Sequence, residues 1–395
     1  MPRIFVTGMG IISAIGNSVS ENRTALSEEK CGIGPLGAFP SAYAGKLPCG
    51  EVRLSSDFLR SKLNVSESGV TRTTLLALHA FNECVDNADL NPDLLSAPDT
   101  AFVNATTVGG MCLTDELYHD ANSTDEGSPY LPSYDCGSIA LMIGQRYKMK
   151  GIINTINTAC SSSANAIMYG ARLIRHGYAK RAIVGGTDSL AKYTINGFNA
   201  LHILSRQICA PFDKNRNGLN LGEGSAFLVL EEESEVSGKH VYAELVGYGN
   251  ANDAFHPSSI SDAGEGPFLA MSKALHTANL EPGQINYINA HGTGTENNDE
   301  TESRAMIRLF NAPPPFSSTK SFTGHTLGAA GAVEAAYTVM NLKYQEAYPS
   351  LHFTEPIEST GLKPVTTYSK MKMSYAMSNA FGFGGNCTSL IFSKA

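Results

Sequence analysis

The amino-acid sequence predicts an α/β architecture whose sheets are covered by helices. Three observations lead there. Short, apolar, β-branched runs alternate with helical runs along the chain. Most of the apolar runs touch glycine at one end. One plan, a glycine loop followed by an apolar strand, occurs twice: in "GLNLGEGSAFLVLEEE" at mid-chain and in "GFGGNCTSLIFSK" at the end. A chain of 395 residues suits two domains or one large duplicated one. The charged stretch Glu231 to His240, "EEESEVSGKH", reads as a hinge between halves, dividing the chain into 1–238 and 239–395.

The elements follow in order. "RIFVTGMG" opens the chain as a strand, and Thr73 to Ala88 is helical. "GIINTIN" is a strand that leads into a helix from Ala164 to His176. In that helix Ile167, Ala171, Ile174 and Tyr178 recur at helical spacing, and Ser161 to Ser163 are placed to cap it. "AIVGG" and "SAFLVLEE" are strands, and Pro267 to Ala278 is helical. "INYINAHG" is a buried strand, followed by a helix from Thr301 to Phe310 and a loop at "PPP", 313–315. The helix from Gly328 to Tyr344 is built from Gly, Ala and Val, so it packs closely against a neighbour. "TSLIF" is the last strand.

Composition excludes several function classes. With 42% hydrophobic and 17% charged residues the chain is of ordinary soluble globular type. No run approaches the ~20 apolar residues that span a bilayer. "MPRIFVTGMG" enters a strand without a basic-then-apolar leader, so no secretion is expected. The eight cysteines are scattered, with no CxxC pair. That argues against a zinc site or a disulfide framework and fits the reducing cytoplasm. A net charge of −8 disfavours generic nucleic-acid binding. "IFVTGMGIIS" imitates a dinucleotide fingerprint, but Ser13 replaces the third glycine and no acidic strand end follows.

Four segments carry chemistry. Cys160, in "NTACSSSANAI", lies at a strand-to-helix junction facing the positive end of a helix dipole. The thiol is expected below its ordinary value of about 8.5, as suits a nucleophile; the alternative is a buried core cysteine. His291 ends a strand and begins the loop "HGTGT". Asp299 and Glu302 after it read as an N-cap and its capping-box partner. Glu334 sits inside the apolar helix, where a carboxylate wants a cation, and Lys320 is the nearest in sequence. His325 follows Lys320 by five residues and adjoins glycine. In "NAFGFGGN", three glycines within four residues permit unusual dihedrals around Phe383.

Taken together, "TACSSS" at 158–163, "AHGTGT" at 290–295, Lys320 with "GHTLGAAG" at 324–331, and "NAFGFGG" at 379–385 resemble the β-ketoacyl-acyl carrier protein synthases, in the ketosynthase I/II branch of the thiolase superfamily. "PFDKNRNGLNLGEGSAFLVLEE" at 211–232 is similar to the family's mid-chain segment.

The resemblance implies a thiolase-like fold, two duplicated α/β halves in an αβαβα arrangement, the first carrying the nucleophilic cysteine and the second both histidines. It implies decarboxylative Claisen condensation of an acyl chain on Cys160 with malonyl-acyl carrier protein. In that scheme His291 and His325 stabilise the enolate, with Lys320 and Glu334 as the supporting ion pair. The backbone N–H groups of Cys160 and Phe383 form the oxyanion hole. Thr293 and Thr295 bind pantetheine, and Phe198 lines the acyl pocket. No organic cofactor is implied, but some members hold a monovalent cation near the equivalents of Asn289, Ala290, Glu334, Ser378 and Asn379, either Na+ or K+. Implied partners are acyl carrier protein, contacted by Arg60, Lys62 and Arg206, and a second copy in a homodimer. Asn157 and Asn386-Cys387 depart from the family's commoner residues, which leaves fatty-acid elongation and a specialised polyene or polyketide pathway both open. A non-catalytic chain-length-factor-like partner is the alternative, and the intact Cys160 and histidines argue against it. A cysteine hydrolase would leave the second histidine and Lys320 unexplained.

Overall fold

The computed structural model describes residues 2–123, 125 and 127–395. Its centre is a ten-stranded sheet. In chain order the strands are β1 (Ile4–Ile12), β2 (Thr100–Ala105), β3 (Ile153–Ile156), β4 (Arg181–Asp188), β5 (Gly224–Glu232), β6 (Ala243–Asn252), β7 (Tyr287–Asn289), β8 (Phe316–Ser317), β9 (Tyr375–Phe381) and β10 (Asn386–Lys394). Their spatial order is β8-β7-β9-β10-β6-β1-β5-β4-β2-β3.

The duplication is visible in the pairing. Outward from the centre, β1 pairs β5 and β5 pairs β4 antiparallel, then β4–β2 and β2–β3 are parallel. On the other side β6 pairs β10 and β10 pairs β9 antiparallel, then β9–β7 and β7–β8 are parallel. The halves join where Phe5 and Val6 of β1 meet Glu244 and Ala243 of β6.

Helices fill the remaining layers. α1 (Arg72–Asn87) covers the first half, and α4 (Glu265–Ala278) with α5 (Glu296–Phe310) covers the second. Two helices lie between the halves, α2 (Ser162–Arg175) and α6 (Ala330–Tyr344). Nearly all of α6 is buried, as its Gly-Ala-Val composition requires. Each buried Val, Leu or Met in it contributes about 1.5–3 kcal/mol. α6 approaches α2 closely because Gly331 has no side chain: a Cβ there would lie 2.7 Å from Ala164 N.

The same device explains the false dinucleotide fingerprint. A Cβ on Gly10 would lie 2.0 Å from Ala80 O of α1. At the equivalent place in the second half, a Cβ on Gly249 of β6 would lie 2.2 Å from Ala270 O of α4. These glycines let an outer helix approach its central strand, which is a packing requirement.

Some elements depart from expectation. Tyr178 lies beyond the end of α2 and is exposed, so the apolar face stops at Ile174. The charged connection between β5 and β6 is anchored, since buried Glu231 accepts hydrogen bonds from Arg181 and from Lys239, the latter at 2.7 Å. Among the described residues no helix is long and apolar enough to cross a membrane, and all eight cysteines are free.

Candidate active site

β3 ends at Ile156, and a tight turn then delivers Cys160 to the start of α2. Ala159 turns the chain with φ 54°, a left-handed conformation that costs a non-glycine residue energy and marks a constrained site. The serines do not cap α2 as expected. Ser161 occupies the cap position without a capping bond, and its hydroxyl lies 2.8 Å from Thr158 O and 2.8 Å from Asn386 Oδ1. Ser162 Oγ accepts from Thr158 N at 2.8 Å, which closes the turn.

The thiol also departs from expectation. Burial pushes Cys160 up to about 11, against the pull of the Phe383 backbone N–H and the Lys320 charge. A helix N-terminus offers about 0.3–1 kcal/mol. The rise from 9.0 to about 11 corresponds to roughly 3 kcal/mol in the other direction, so burial wins. Cys160 therefore rests as a neutral thiol.

His291 follows β7, and its loop is held by carboxylates from the first turns of α5. Glu302 accepts from His291 N and Gly292 N, both at 2.9 Å. Asp299 accepts from Phe212 N at 2.7 Å and from Gly294 N at 3.1 Å. Neither residue forms the expected capping box, because both are buried and turned toward backbone of other segments. Burial pushes Glu302 up to about 7, though the loop N–H groups oppose it. The mid-chain segment braces both histidine loops: Gly218 N donates to Gly294 O at 3.0 Å, and Asn220 O accepts from His325 N at 2.7 Å. Asp299, Glu302 and Asn220 have positioning roles that sequence reasoning missed. Only Asn220 carried a signal, as a polar residue among Gly and Leu in "GLNLGEG"; Asp299 and Glu302 lie in the uniformly polar "TENNDETES" and do not stand out.

Lys320 lies fully buried behind the histidines. Its Nζ donates to Glu334, to His291 O at 2.6 Å and to His291 Nδ1 at 3.2 Å. A lysine ammonium only donates, so Nδ1 of His291 is the acceptor and Nε2 carries the proton. Burial, then the Lys320 charge, hold both imidazoles well below the ordinary histidine range. Both are therefore neutral. Their rings stand edge to face, 5.4 Å between centroids. Burial pushes the Glu334 carboxyl up to about 7, against Lys320.

A cavity of about 390 Å³ gathers Cys160, His291, His325, Thr293, Thr295, Phe198 and Phe383 on its walls. The sequence segments that supply them are far apart, and the structure brings all seven together. Thr293 Oγ1 and Thr295 Oγ1 lie 2.9 Å apart. The rings of Phe198 and Phe383 stack. Gly382 is extended, and a Cβ on it would lie 2.7 Å from Thr158 O; Gly384 holds the left-handed conformation at φ 82°. Only Gly384 and Gly385 of that loop use a positive φ, so Gly382 is required by close approach instead of torsional freedom.

The five residues of the suggested cation site also converge. Asn289, Ala290, Glu334, Ser378 and Asn379 are all buried. Among the described residues, Asn289 Oδ1 and Glu334 Oε2 have no hydrogen-bond partner. Among the described residues no group of three or more His, Cys, Asp or Glu is placed to hold a metal. On the surface, Lys62 and Arg206 are exposed. Arg60 is half-buried, and its guanidinium donates to Val70 O at 2.7 Å and to Glu67 O at 3.3 Å, which leaves N–H groups unused.

A duplicated α/β fold with a buried cysteine facing two neutral histidines defines a thiolase-like protein. Within that class the chain belongs to the beta-ketoacyl synthases: the family's N-terminal domain matches residues 1–236 and its C-terminal domain residues 242–354. It is 34% identical over 416 residues to a "3-oxoacyl-(acyl-carrier-protein) synthase 2" of Synechocystis, covering 99% of this chain and 98% of the relative. A protein of the same name from Coxiella burnetii is 32% identical over 412 residues, with the same coverage. Among solved structures, "The ishigamide ketosynthase/chain length factor" superposes with a TM-score of 0.94 at 28% identity, covering 100% of this chain and 99% of that one.

Proposed function

We propose that this chain is a 3-oxoacyl-acyl-carrier-protein synthase that condenses a Cys160-bound acyl chain with malonyl-acyl carrier protein, as in fatty-acid elongation. The observation that carries the reading is Cys160 in one cavity with two neutral histidines, one held in its Nε2–H tautomer by Lys320. A hydrolase needs one histidine that takes a proton, whereas these two are kept from taking one.

The steps balance. Sγ of Cys160 attacks the acyl thioester of the first carrier; the new S–C bond forms and the pantetheine thiol leaves with the thiol proton. Backbone N–H groups of Cys160 and Phe383 receive the oxyanion. Thr293 and Thr295 then hold the pantetheine of malonyl carrier. The malonyl C–C bond breaks and carbon dioxide departs. The electron pair becomes an enolate whose oxygen accepts from the His291 and His325 N–H groups. The enolate carbon attacks the acyl-cysteine carbonyl, the C–C bond forms, and the S–C bond breaks to release the Cys160 thiolate, which takes a proton from solvent to restore the thiol. Neutral imidazoles donate without storing a charge, which suits a group that must release the product enolate oxygen as a carbonyl.

The orphaned oxygens of Asn289 and Glu334 fit a monovalent cation such as Na+ or K+, since unsatisfied buried acceptors are rare. Asn289, Ala290, Glu334, Ser378 and Asn379 would hold it. Such an ion would offset the clustered charge of Glu334 and Glu302 and supply no bond-making chemistry. Exposed Lys62 and Arg206 offer contacts for an acidic carrier protein. The edge strand β3 supports pairing with a second copy: it ends the sheet, and Leu141 and Ile152 beside it are exposed. A homodimer is the primary reading. Sedimentation of the purified chain tests it, and a monomer that dimerises only with a different chain would replace it. Eight free cysteines suit the cytoplasm.

The deciding experiment is intact-mass spectrometry after incubation with acyl carriers of several chain lengths. The parent should gain one acyl mass and Cys160→Ala none, with condensation abolished in the variant. Condensation by Cys160→Ala at the parental rate would overturn the assignment.

A further inference from the structure

We infer that Asn386 is a positioning residue that ties the nucleophile turn of one half of the molecule to the Phe383 loop of the other. Behind Cys160 lies a polar network that the reaction scheme does not use. It joins Thr158, Ser161 and Asn165 of the first half to Asn250, Asn386 and Thr388 of the second. Asn386 Oδ1 is its hub. The oxygen accepts from Ser161 Oγ at 2.8 Å, Asn165 Nδ2 at 2.8 Å and Asn250 Nδ2 at 2.9 Å. Asn165 Nδ2 also donates to Thr158 Oγ1 at 2.8 Å, which brings the first residue of the turn into the same network. Asn250 Nδ2 and Thr388 Oγ1 complete the ring through Asn165 Oδ1.

Three features make this a device for placing Cys160. The turn passes through Ala159 in a left-handed conformation, so it does not hold that shape from local preference. Ser161 gives up the capping bond of α2, and its hydroxyl turns to Asn386 and Thr158 O instead. Asn386 also acts through its main chain: its carbonyl accepts from Gly382 N at 2.8 Å, which closes the loop carrying Phe383. One residue therefore sets the turn that supplies Sγ and the loop that supplies an oxyanion N–H. Their relative position matters because a misplacement of about 1 Å between reacting groups can cost on the order of 10²-fold in rate. A purely apolar contact would hold the two segments together without fixing register, whereas directional hydrogen bonds to one oxygen do both.

The test compares Asn386→Leu, which keeps the branched shape and heavy-atom count and removes the acceptor, with Asn386→Asp, which keeps the acceptor. Two rates are read on the full chain: alkylation of Cys160 by iodoacetamide and single-turnover acylation by acyl carrier. Asn386→Leu should slow both by about ten- to a hundredfold, with KM for the carrier within about twofold. Asn386→Asp should recover acylation to within about threefold of the parent, with its alkylation profile moved to higher pH by the added charge. Parental rates in Asn386→Leu, or equal losses in both variants, would overturn the inference. If Asn386→Leu does not fold, Ser161→Ala removes one donor from the same oxygen; slowed acylation at an unchanged melting temperature supports the role, and a parental rate overturns it. Acylation rests on the proposed function, but alkylation does not. Failure of the parent to acylate would reject that function and leave the alkylation comparison standing.

Discussion

The ring of Phe198 stacks on that of Phe383, 5.7 Å between centroids and 19° between planes, in the wall of the cavity that Cys160 also lines. One ring belongs to the helix Lys192–Ala200 and the other to the glycine loop between β9 and β10. An acyl chain entering along Phe198 must part them. A Cβ on Gly384 would meet nothing within 4 Å, so Gly384→Ala is a test of torsion alone. At φ 82° the alanine costs on the order of 1 kcal/mol and stiffens the loop. Slower acylation of Cys160 is expected in Gly384→Ala, and altered timing of the two half-reactions in Phe383→Ala. Crystals of free and acylated enzyme should show two Phe383 positions. One position in both states, with unchanged acylation in Gly384→Ala, would remove the gate.

The pH dependence of Cys160 has a definite sign. Because burial pushes the thiol up to about 11, alkylation by iodoacetamide should keep rising above pH 9. The neutral thiol is favoured in the folded state. Its contribution to stability is therefore full below the unfolded value of 9.0 and lost as pH rises toward 11. An alkylation plateau below about pH 8 would contradict the burial argument.

His291→Ala and His325→Ala should each cut decarboxylation of malonyl carrier by about 10²–10³, as when one oxyanion donor is lost. Acylation of Cys160 should suffer less, since its oxyanion is held by backbone. Parental decarboxylation in both variants would reject the enolate role.

Lys320→Ala leaves Glu334 buried without its cation, and about 3–5 kcal/mol of stability should go with it. A paired Lys320→Met, Glu334→Leu variant should recover much of that stability in urea unfolding. It should not recover decarboxylation, because the Nδ1 atom of His291 has then lost its donor. Recovery of both would make the pair purely structural.

Acid stability should depend on Glu346, far from the cavity. Burial pushes its carboxyl up, but hydrogen bonds from Arg23, Lys370, Tyr348 and Tyr368 together outweigh that and hold it at about 2. The carboxylate stabilises the fold above its ordinary value of 4.5, and that contribution is lost as pH falls toward 2. Glu346→Gln should flatten the acid limb of the stability profile by an amount on the order of 2 kcal/mol. An unchanged limb would show that other carboxylates carry it.

Periodicity and glycine placement were enough to locate the six strands quoted from the sequence and the five long helices, because most of them bury an apolar face that their own residues define. The residue types of the site were legible too: Cys160, His291, His325 and Lys320 stand out as chemistry-bearing side chains in glycine-rich junctions. Their protonation was not legible. A helix start suggests a low thiol value, yet the direction is decided by how completely α2, α6 and the Phe383 loop exclude water, and that is a property of three segments packed together. The same holds for Asp299 and Glu302, whose spacing mimics a helix cap while their oxygens reach backbone N–H groups of loops elsewhere. The sequence alone ruled out a phosphate loop at Gly8 and Gly10, because Ser13 replaces the third glycine, but only the packing of α1 against them shows what those glycines are for. Local order came from repeating patterns within single elements, whereas charge state and hydrogen-bond partners came from contacts that no such pattern encodes, from Glu302 with His291 N to Ser161 with Asn386, which only the tertiary structure brings together.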